Sequence, residues 1–326
     1  MEFALSEEQA ELASIVRAVL AKQADPAAVR AAIAAPLGYD EALWATLCEQ
    51  VGVAALAIPE EHDGAGATFF ETAVVLEELG RSLAPSPLLA TAVATAALRA
   101  GGTDDAKGRL LPRIAAGEVA TVALEPDQPV LDADRAAIVL AVVGDDLVEV
   151  TDPGATWTES VDQTIRVGRL ASTDGEVIGS GSAARAAIHL VSTVGTSALA
   201  VGLCDRALRM TVDYSKERVQ FGRPIGSFQA LKHRMAEMLV RLELARSATW
   251  AAAYAVSRGT EDAADLARAA ASYALDAASD LAGECVQLHG GIAITWEHDA
   301  QLVFKRAHAL AHMAGPPHVQ RAAVRL

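Results

Sequence analysis

Four stretches in the second half of the chain repeat apolar residues at helical spacing: Ala187 to Lys216, Phe228 to Arg258, Thr260 to Val286 and Trp296 to Met313. Each is long enough to run the length of a bundle, and such helices must bury their apolar faces against one another, so this half is expected to fold as a four-helix bundle. The segment from Ser6 to about Glu118 is helical as well, with Glu8 to Ala21, Tyr39 to Val51, Phe70 to Leu83 and the alanine-rich pair Pro87 to Ala100 and Ala106 to Ala116. Between them, from about Val119 to Ala186, the period changes. Ala120 to Leu124, Ala136 to Val143, Leu147 to Thr151 and Thr164 to Leu170 are short and β-branched, and Gly144-Asp145-Asp146, Asp152-Pro153-Gly154 and Asp174-Gly175 supply turns. The expected fold class is mainly α with a small β domain: an N-terminal all-α domain over 1–118, a shortened β domain over 119–186 and the C-terminal bundle over 187–326.

Composition narrows the function. A chain of 326 residues exceeds the usual size of one compact core, so two or three domains are expected. Its apolar residues, 52% of the total, form no uninterrupted run of the roughly 18 needed to span a bilayer, and Met1 to Gln9 is acidic and amphipathic rather than a cleavable signal. Cys48, Cys204 and Cys285 lack metal or redox spacing, so no metal site is expected and the thiols read as reduced and cytoplasmic. A net charge of −15 argues against nucleic acid or an anionic membrane as partner.

Chemistry enters between the first two bundle helices. There Arg218-Val219-Gln220-Phe221-Gly222-Arg223-Pro224-Ile225 continues into Gly226-Ser227-Phe228-Gln229. Arg218 offers a planar, permanently charged fork that suits a pyrophosphate, Gln220 adds an amide, and the glycines let backbone approach closely. Pro224 and the glycines interrupt both helical patterns, which places the segment on an interhelical loop. On residue types alone it is a solvated, arginine-rich loop. Further on, Gln287-Leu288-His289-Gly290-Gly291-Ile292-Ala293 supplies a second segment, whose paired glycines leave backbone N–H groups open to phosphate or ribose oxygens. Its first glycine is also a C-cap for the helix that carries Asp280, Glu284 and Cys285.

Together the two segments resemble the flavin-nucleotide signature of the acyl-CoA dehydrogenases, an Arg-x-x-Phe-Gly element followed by Gln-x-x-Gly-Gly-x-Gly. Ala293 stands where the family usually has the last glycine, and backbone contact is expected to change there. The resemblance extends over nearly the whole chain. Phe3-Ala4-Leu5-Ser6-Glu7-Glu8-Gln9 is similar to the family's opening and also reads as a Ser N-cap with Gln at the third helical position. Val51-Gly52-Val53 and Ile58 to Gly66 resemble the glycine-rich loop after the family's second helix. Glu71 to Leu83 resembles the next helix, whose Glu77-Glu78-Leu79-Gly80-Arg81 end is expected to stop at Gly80. The order of α, β and α domains is similar too. The resemblance implies FAD as cofactor, an acyl-CoA thioester as substrate and electron-transfer flavoprotein as acceptor. In such enzymes a carboxylate removes the α-proton while the flavin accepts hydride from Cβ.

The departures from the family are as informative as the matches. Its Thr-Glu-Pro-x-x-Gly-Ser-Asp loop and Trp-Ile-Thr strand, which bind the flavin ring, have no full counterpart; Leu124-Glu125-Pro126-Asp127-Gln128-Pro129 keeps only Glu-Pro. Aligning Gly315 and Gln320-Arg321 puts Ala314 at the usual position of the catalytic base. The alternative base position, on the first bundle helix, falls at Ser192. His308, His312 and His318 lie near Ala314, and a neutral imidazole is a chemically sensible base, although helix-end histidines need no such role.

In this family the Arg-x-x-Phe-Gly and Gln-x-x-Gly-Gly elements reach across a dimer interface to the neighbour's FAD, whereas the β-domain loops and the glutamate serve the subunit's own flavin and substrate. This chain keeps what is given to a neighbour and lacks what is used at home. It resembles the non-catalytic β-type subunit of heteromeric acyl-CoA dehydrogenases of actinobacterial steroid catabolism. That resemblance implies an α2β2 assembly with a homologous catalytic subunit. Arg218, Gln220, Phe221, Gln229, Gln287, Gly290 and Gly291 would then contact the partner's FAD, with Phe221 packing on its adenine end. No residue of this chain would be catalytic. Two other readings stay open: a self-sufficient homotetramer with His312 as base, and a scaffold subunit that has lost FAD.

Overall fold

The computed structural model describes residues 4–125 and 128–325; Met1 to Phe3 of the opening segment, Pro126 and Asp127 of the Glu-Pro remnant, and Leu326 lie outside them. Helix α1 (Glu7–Gln23) begins at the expected capping box, in which the Gln9 N–H donates to Ser6 Oγ at 3.2 Å and the Ser6 N–H to Gln9 Oε1 at 3.0 Å. Helix α2 (Pro26–Ala34) was not expected, yet it carries its own start signal, Asp25 accepting the Ala28 N–H with Pro26 in the first turn. Helix α3 (Glu41–Thr46) runs into a π turn over Leu47–Val51 that ends at Gly52 with φ 77°. Helices α4 (Phe69–Ser82), α5 (Leu88–Gly101) and α6 (Asp104–Ala115) complete the N-terminal part.

Gly80 does not end α4, contrary to expectation. The helix continues to Ser82 and Leu83 takes the left-handed cap, φ 60°. Gly80 instead marks a close crossing of α4 with α7 (Gly181–Glu217): a Cβ on it would lie 2.2 Å from Leu199 O, and one on Gly202 would lie 1.9 Å from Glu77 O. Both glycines are there because backbone meets backbone.

The middle of the chain forms two small sheets. Strands β1 (Ala120–Ala123), β3 (Ile138–Val143), β4 (Asp146–Val150) and β7 (Gly175–Ser180) make one in the order β1-β3-β4-β7, with β1 and β3 parallel and the other pairs antiparallel. Strands β2 (Val130–Leu131), β6 (Val167–Arg169) and β5 (Thr156–Thr158) make the other, in the order β2-β6-β5. Three strands escaped the sequence: β2 and β5 are too short to show a period, and β7 holds two glycines and mostly exposed residues.

Helix α7 starts before the expected Ala187 and packs against α4, α5, α8 (Gln229–Arg258), α9 (Ala263–His289) and α10 (Ala300–Met313); α11 (Pro317–Ala322) follows on α9. By length and composition α7 could cross a membrane, with a mean hydropathy of 1.6 over its most apolar window. Yet 72% of that window is buried in the fold, which makes α7 the central core helix. One hydrophobic core runs from Val16 of α1 through Leu140 and Leu147 of the sheet to Leu310 of α10. Burial pushes the Cys285 thiol up to about 11 and the half-buried Cys48 thiol up to about 12, so both stay protonated and unreactive at neutral pH.

An ionic cluster fills the junction of α1, α4, α7 and α8. Glu77, Glu78 and Asp205 are all buried there, against Arg17, Arg81, Arg209 and Arg246. The Trp250 indole N–H donates to Glu77 at 3.0 Å.

Candidate functional site

The first signature segment is a tight hairpin joining α7 to α8. Strand β8 (Val219–Gln220) pairs with β9 (Arg223–Pro224) around Phe221 and Gly222, whose φ values of 53° and 79° define a turn with both central residues left-handed. For a phenylalanine that conformation is strained, and the ring it presents is 92% exposed. Phe228 meets Phe221 edge-on at 6.2 Å and carries the Arg223 guanidinium over its ring at 4.1 Å. The Ile225 N–H donates to Arg218 O at 2.8 Å and closes the hairpin base. Among the described residues no carboxylate lies within ion-pair range of Arg218. Gln229, the first residue of α8, is exposed, with its amide 2.8 Å from His233 Nε2.

The second segment ends α9. Gly290 caps that helix, as expected, with φ 66° and ψ −147°. A Cβ added at Gly290 or Gly291 would meet nothing within 4 Å, so the backbone there faces open space. Gln287 lies exposed in the last helical turn. Ala293, the departure from the family pattern, is fully buried, so its methyl packs into the core rather than into that space.

The fold brings the two segments to one end of the bundle. Tyr214, in the last turn of α7, stacks on His289, the last residue of α9, with centroids 4.4 Å apart. All seven candidate nucleotide contacts are exposed, and none lines either of the two large cavities.

The base positions belong elsewhere. A mainly apolar cavity of about 710 Å³ opens between the sheets, α5, α7 and α10, lined by residues that include Leu89, Val93, Val122 and Ile188. Ser192 lines it, its hydroxyl donating to His189 O at 3.3 Å, and so does Met313, next to Ala314. His308 and His312 line it too, whereas His318 sits on α11 and does not. Sequence reasoning missed the charged Lys305 on this wall and read Glu125, also on it, only as the remnant of a flavin-ring loop. The Glu125 carboxylate is held by Arg185 at 2.9 Å.

Burial holds the imidazoles of His289 and His298 below their usual pKa. The unfolded chain therefore takes up protons as pH falls through about 6.5 while the folded chain resists, and stability is lost over that fall. Buried Asp132, its carboxyl pushed up to about 6, acts in the opposite direction over the same fall and offsets part of that loss. The histidine effect is accordingly expected between pH 7.5 and 6: a falling Tm in the wild type, and a flatter profile in the His289→Asn/His298→Asn double variant.

Comparison with known proteins identifies the family. Residues 6–118 match the family model "Acyl-CoA dehydrogenase, N-terminal domain" and residues 184–325 match "Acyl-CoA dehydrogenase, C-terminal domain". The chain is 48% identical to the acyl-CoA dehydrogenase IpdE2 of Mycobacterium tuberculosis over 314 residues, covering 95% of this chain and 94% of that protein. It is 44% identical to IpdE2 of Mycolicibacterium smegmatis over 319 residues, covering 97% of each. Among solved structures it is similar to the Tcur3481–Tcur3483 steroid ACAD G363A variant, with a TM-score of 0.89 and 28% identity over 98% of this chain and 96% of that one. The fold is acyl-CoA dehydrogenase-like, helical N- and C-terminal parts with a small central sheet region. The chain belongs to the acyl-CoA dehydrogenase family, FAD-dependent oxidoreductases acting on CH–CH bonds.

Proposed function

We propose that this chain is the non-catalytic subunit of a heteromeric acyl-CoA dehydrogenase, lending FAD contacts to a homologous catalytic partner in an α2β2 assembly. One observation carries the reading: the candidate nucleotide contacts are displayed on the outer surface, while the chain's own cavity has no carboxylate at either base position. The residues present suit the nucleotide end of FAD. An arginine with no ionic partner among the described residues, a strained and exposed phenylalanine, and two glycines whose Cβ space is empty supply charge, an apolar face and close backbone approach. When bound, the flavin supplies the hydride acceptor. Arg218 would neutralise the pyrophosphate, Phe221 would cover the adenine, and Gln220, Gln229, Gln287 and the Gly290-Gly291 backbone would orient the rest. The partner would contribute the glutamate and the flavin-ring contacts. Similarity to the Tcur3481–Tcur3483 steroid ACAD, named for two components, supports a heteromer and a steroid-derived acyl-CoA as substrate. Electron-transfer flavoprotein is the proposed acceptor.

Arg218→Ala tests this, because it alters one chain and reads out chemistry assigned to the other. Losing a charge-assisted contact is expected to weaken FAD retention by about 1.5–3 kcal/mol, roughly ten- to hundredfold in affinity. Assembly should persist, and activity should recover with added FAD. The measurement is flavin content and turnover of the complex against FAD concentration; unchanged affinity removes Arg218 from the site.

A further inference from the structure

We infer that His289 is a positioning residue that holds the hairpin after α7 and the glycine pair after α9 in register, by stacking on Tyr214 in a three-ring cluster that His298 completes. The inference rests on the nucleotide-contact reading for its purpose but on geometry for its existence. Tyr214 is tied to the first segment, since its carbonyl accepts the Arg218 N–H at 2.9 Å. His289 is joined directly to Gly290 of the second. Their rings stack at 4.4 Å and 28°, and His298 sits beside both, 4.6 Å from the imidazole at 51° and 6.4 Å from the Tyr214 ring. The outer ring is anchored in turn. His298 Nδ1 accepts the Ala300 N–H at 3.2 Å, and the adjacent Asp299 binds Arg30 of α2 at 2.6 Å and Arg206 of α7 at 2.8 Å.

The imidazole itself is fixed. His289 is 4% exposed, and its Nδ1–H donates to the Cys285 carbonyl at 2.7 Å, which sets the neutral tautomer and the ring plane. Among the described residues Nε2 is buried without a hydrogen-bond partner. A side chain needed for volume alone would leave no orphaned nitrogen. What the histidine adds is a flat ring pinned to its own helix and laid against Tyr214. The titratable and charged groups around it are Tyr214 and Arg206 from α7, Cys285 from α9, and His298 and Asp299 before α10, with Arg30 from α2 behind them. Burial, and then the charge of His298, hold the ring neutral against the pull of the Cys285 carbonyl.

Amide hydrogen exchange on the full chain tests the coupling. His289→Ala is expected to speed exchange in residues 218–228 and 287–292 together by about three- to tenfold, the worth of one aromatic stack. His289→Phe, which keeps the stack, should restore slow exchange in both. Tyr214→Leu should reproduce the effect, and the double variant should add less than the two singles combined. Faster exchange confined to 287–292 overturns the coupling, as does failure of the phenylalanine to rescue. FAD affinity of the complex separates this inference from the reading beneath it. If Arg218→Ala weakens FAD and His289→Ala does not, positioning by His289 is overturned. If exchange is coupled and neither variant affects FAD, the register pin stands and the nucleotide assignment falls.

Discussion

Replacing Glu77 by alanine is expected to destabilise the chain by about 3–5 kcal/mol, the usual consequence of removing one partner from a buried ion pair. The Glu77 carboxylate accepts from Arg246 Nε at 2.9 Å, from an Arg81 nitrogen at 3.3 Å and from the Trp250 indole at 3.0 Å. The side chains of Arg81 and Arg246 are only 15% and 14% exposed, although the cavity of about 690 Å³ that the cluster lines gives water a route to them, which puts the expected cost in the lower part of that range. The site also joins α4 to α8 beside the glycine crossing with α7, where no backbone can move to close the gap. Glu77→Gln keeps the acceptor while losing the charge and should cost less. Denaturant midpoints at constant m-value measure both. A loss below about 1 kcal/mol for the alanine variant would mean that Arg81 and Arg246 redistribute onto Glu78 and Asp205, which already share them.

What could be read from the sequence was what neighbouring residues decide. The capping box at Ser6 and Gln9 and the Gly290 cap appear where their spacing puts them, because each is satisfied within one turn. Gly80 shows the limit: a glycine near a helix end has the same local signature whether it caps that helix or admits another, and Leu199 is far away in the chain. The sheets were half legible for a similar reason, since β3 and β4 bury enough apolar residues to show a pattern and β2 and β5 do not. At the candidate site the residue types were visible in two compact segments. Their meeting at one bundle end was not, for it depends on Tyr214, His289 and His298, from three separate elements. The cavity wall was hidden likewise. Glu125, Ser192 and His312 share it only after a sheet, α7 and α10 have packed.

The isolated chain is expected to retain little FAD and to show no acyl-CoA oxidation above background, and Ala314→Glu is expected to leave it inactive. Dehydrogenation needs a base at the α-proton and a hydride acceptor at Cβ, held together. The first is absent from both base positions: Ser192 carries a hydroxyl already donating to His189 O, and Ala314 carries a methyl beside a carbonyl that accepts from Gln320. Among the described residues Glu125 is the carboxylate that reaches the cavity, and it pairs with Arg185. A glutamate at Ala314 would restore the base without restoring an acceptor, because the residues suited to FAD face outward from the other signature segments. His312 is the residue that would defeat this argument. It lines the same cavity, so a yellow, active homo-oligomer whose turnover disappears in His312→Gln would establish a self-sufficient enzyme with an imidazole base. Flavin absorbance at constant protein concentration and reduction of an artificial acceptor by acyl-CoA decide between the two, and activity gained by Ala314→Glu alone would show that a flavin ring is held in this chain's own cavity after all.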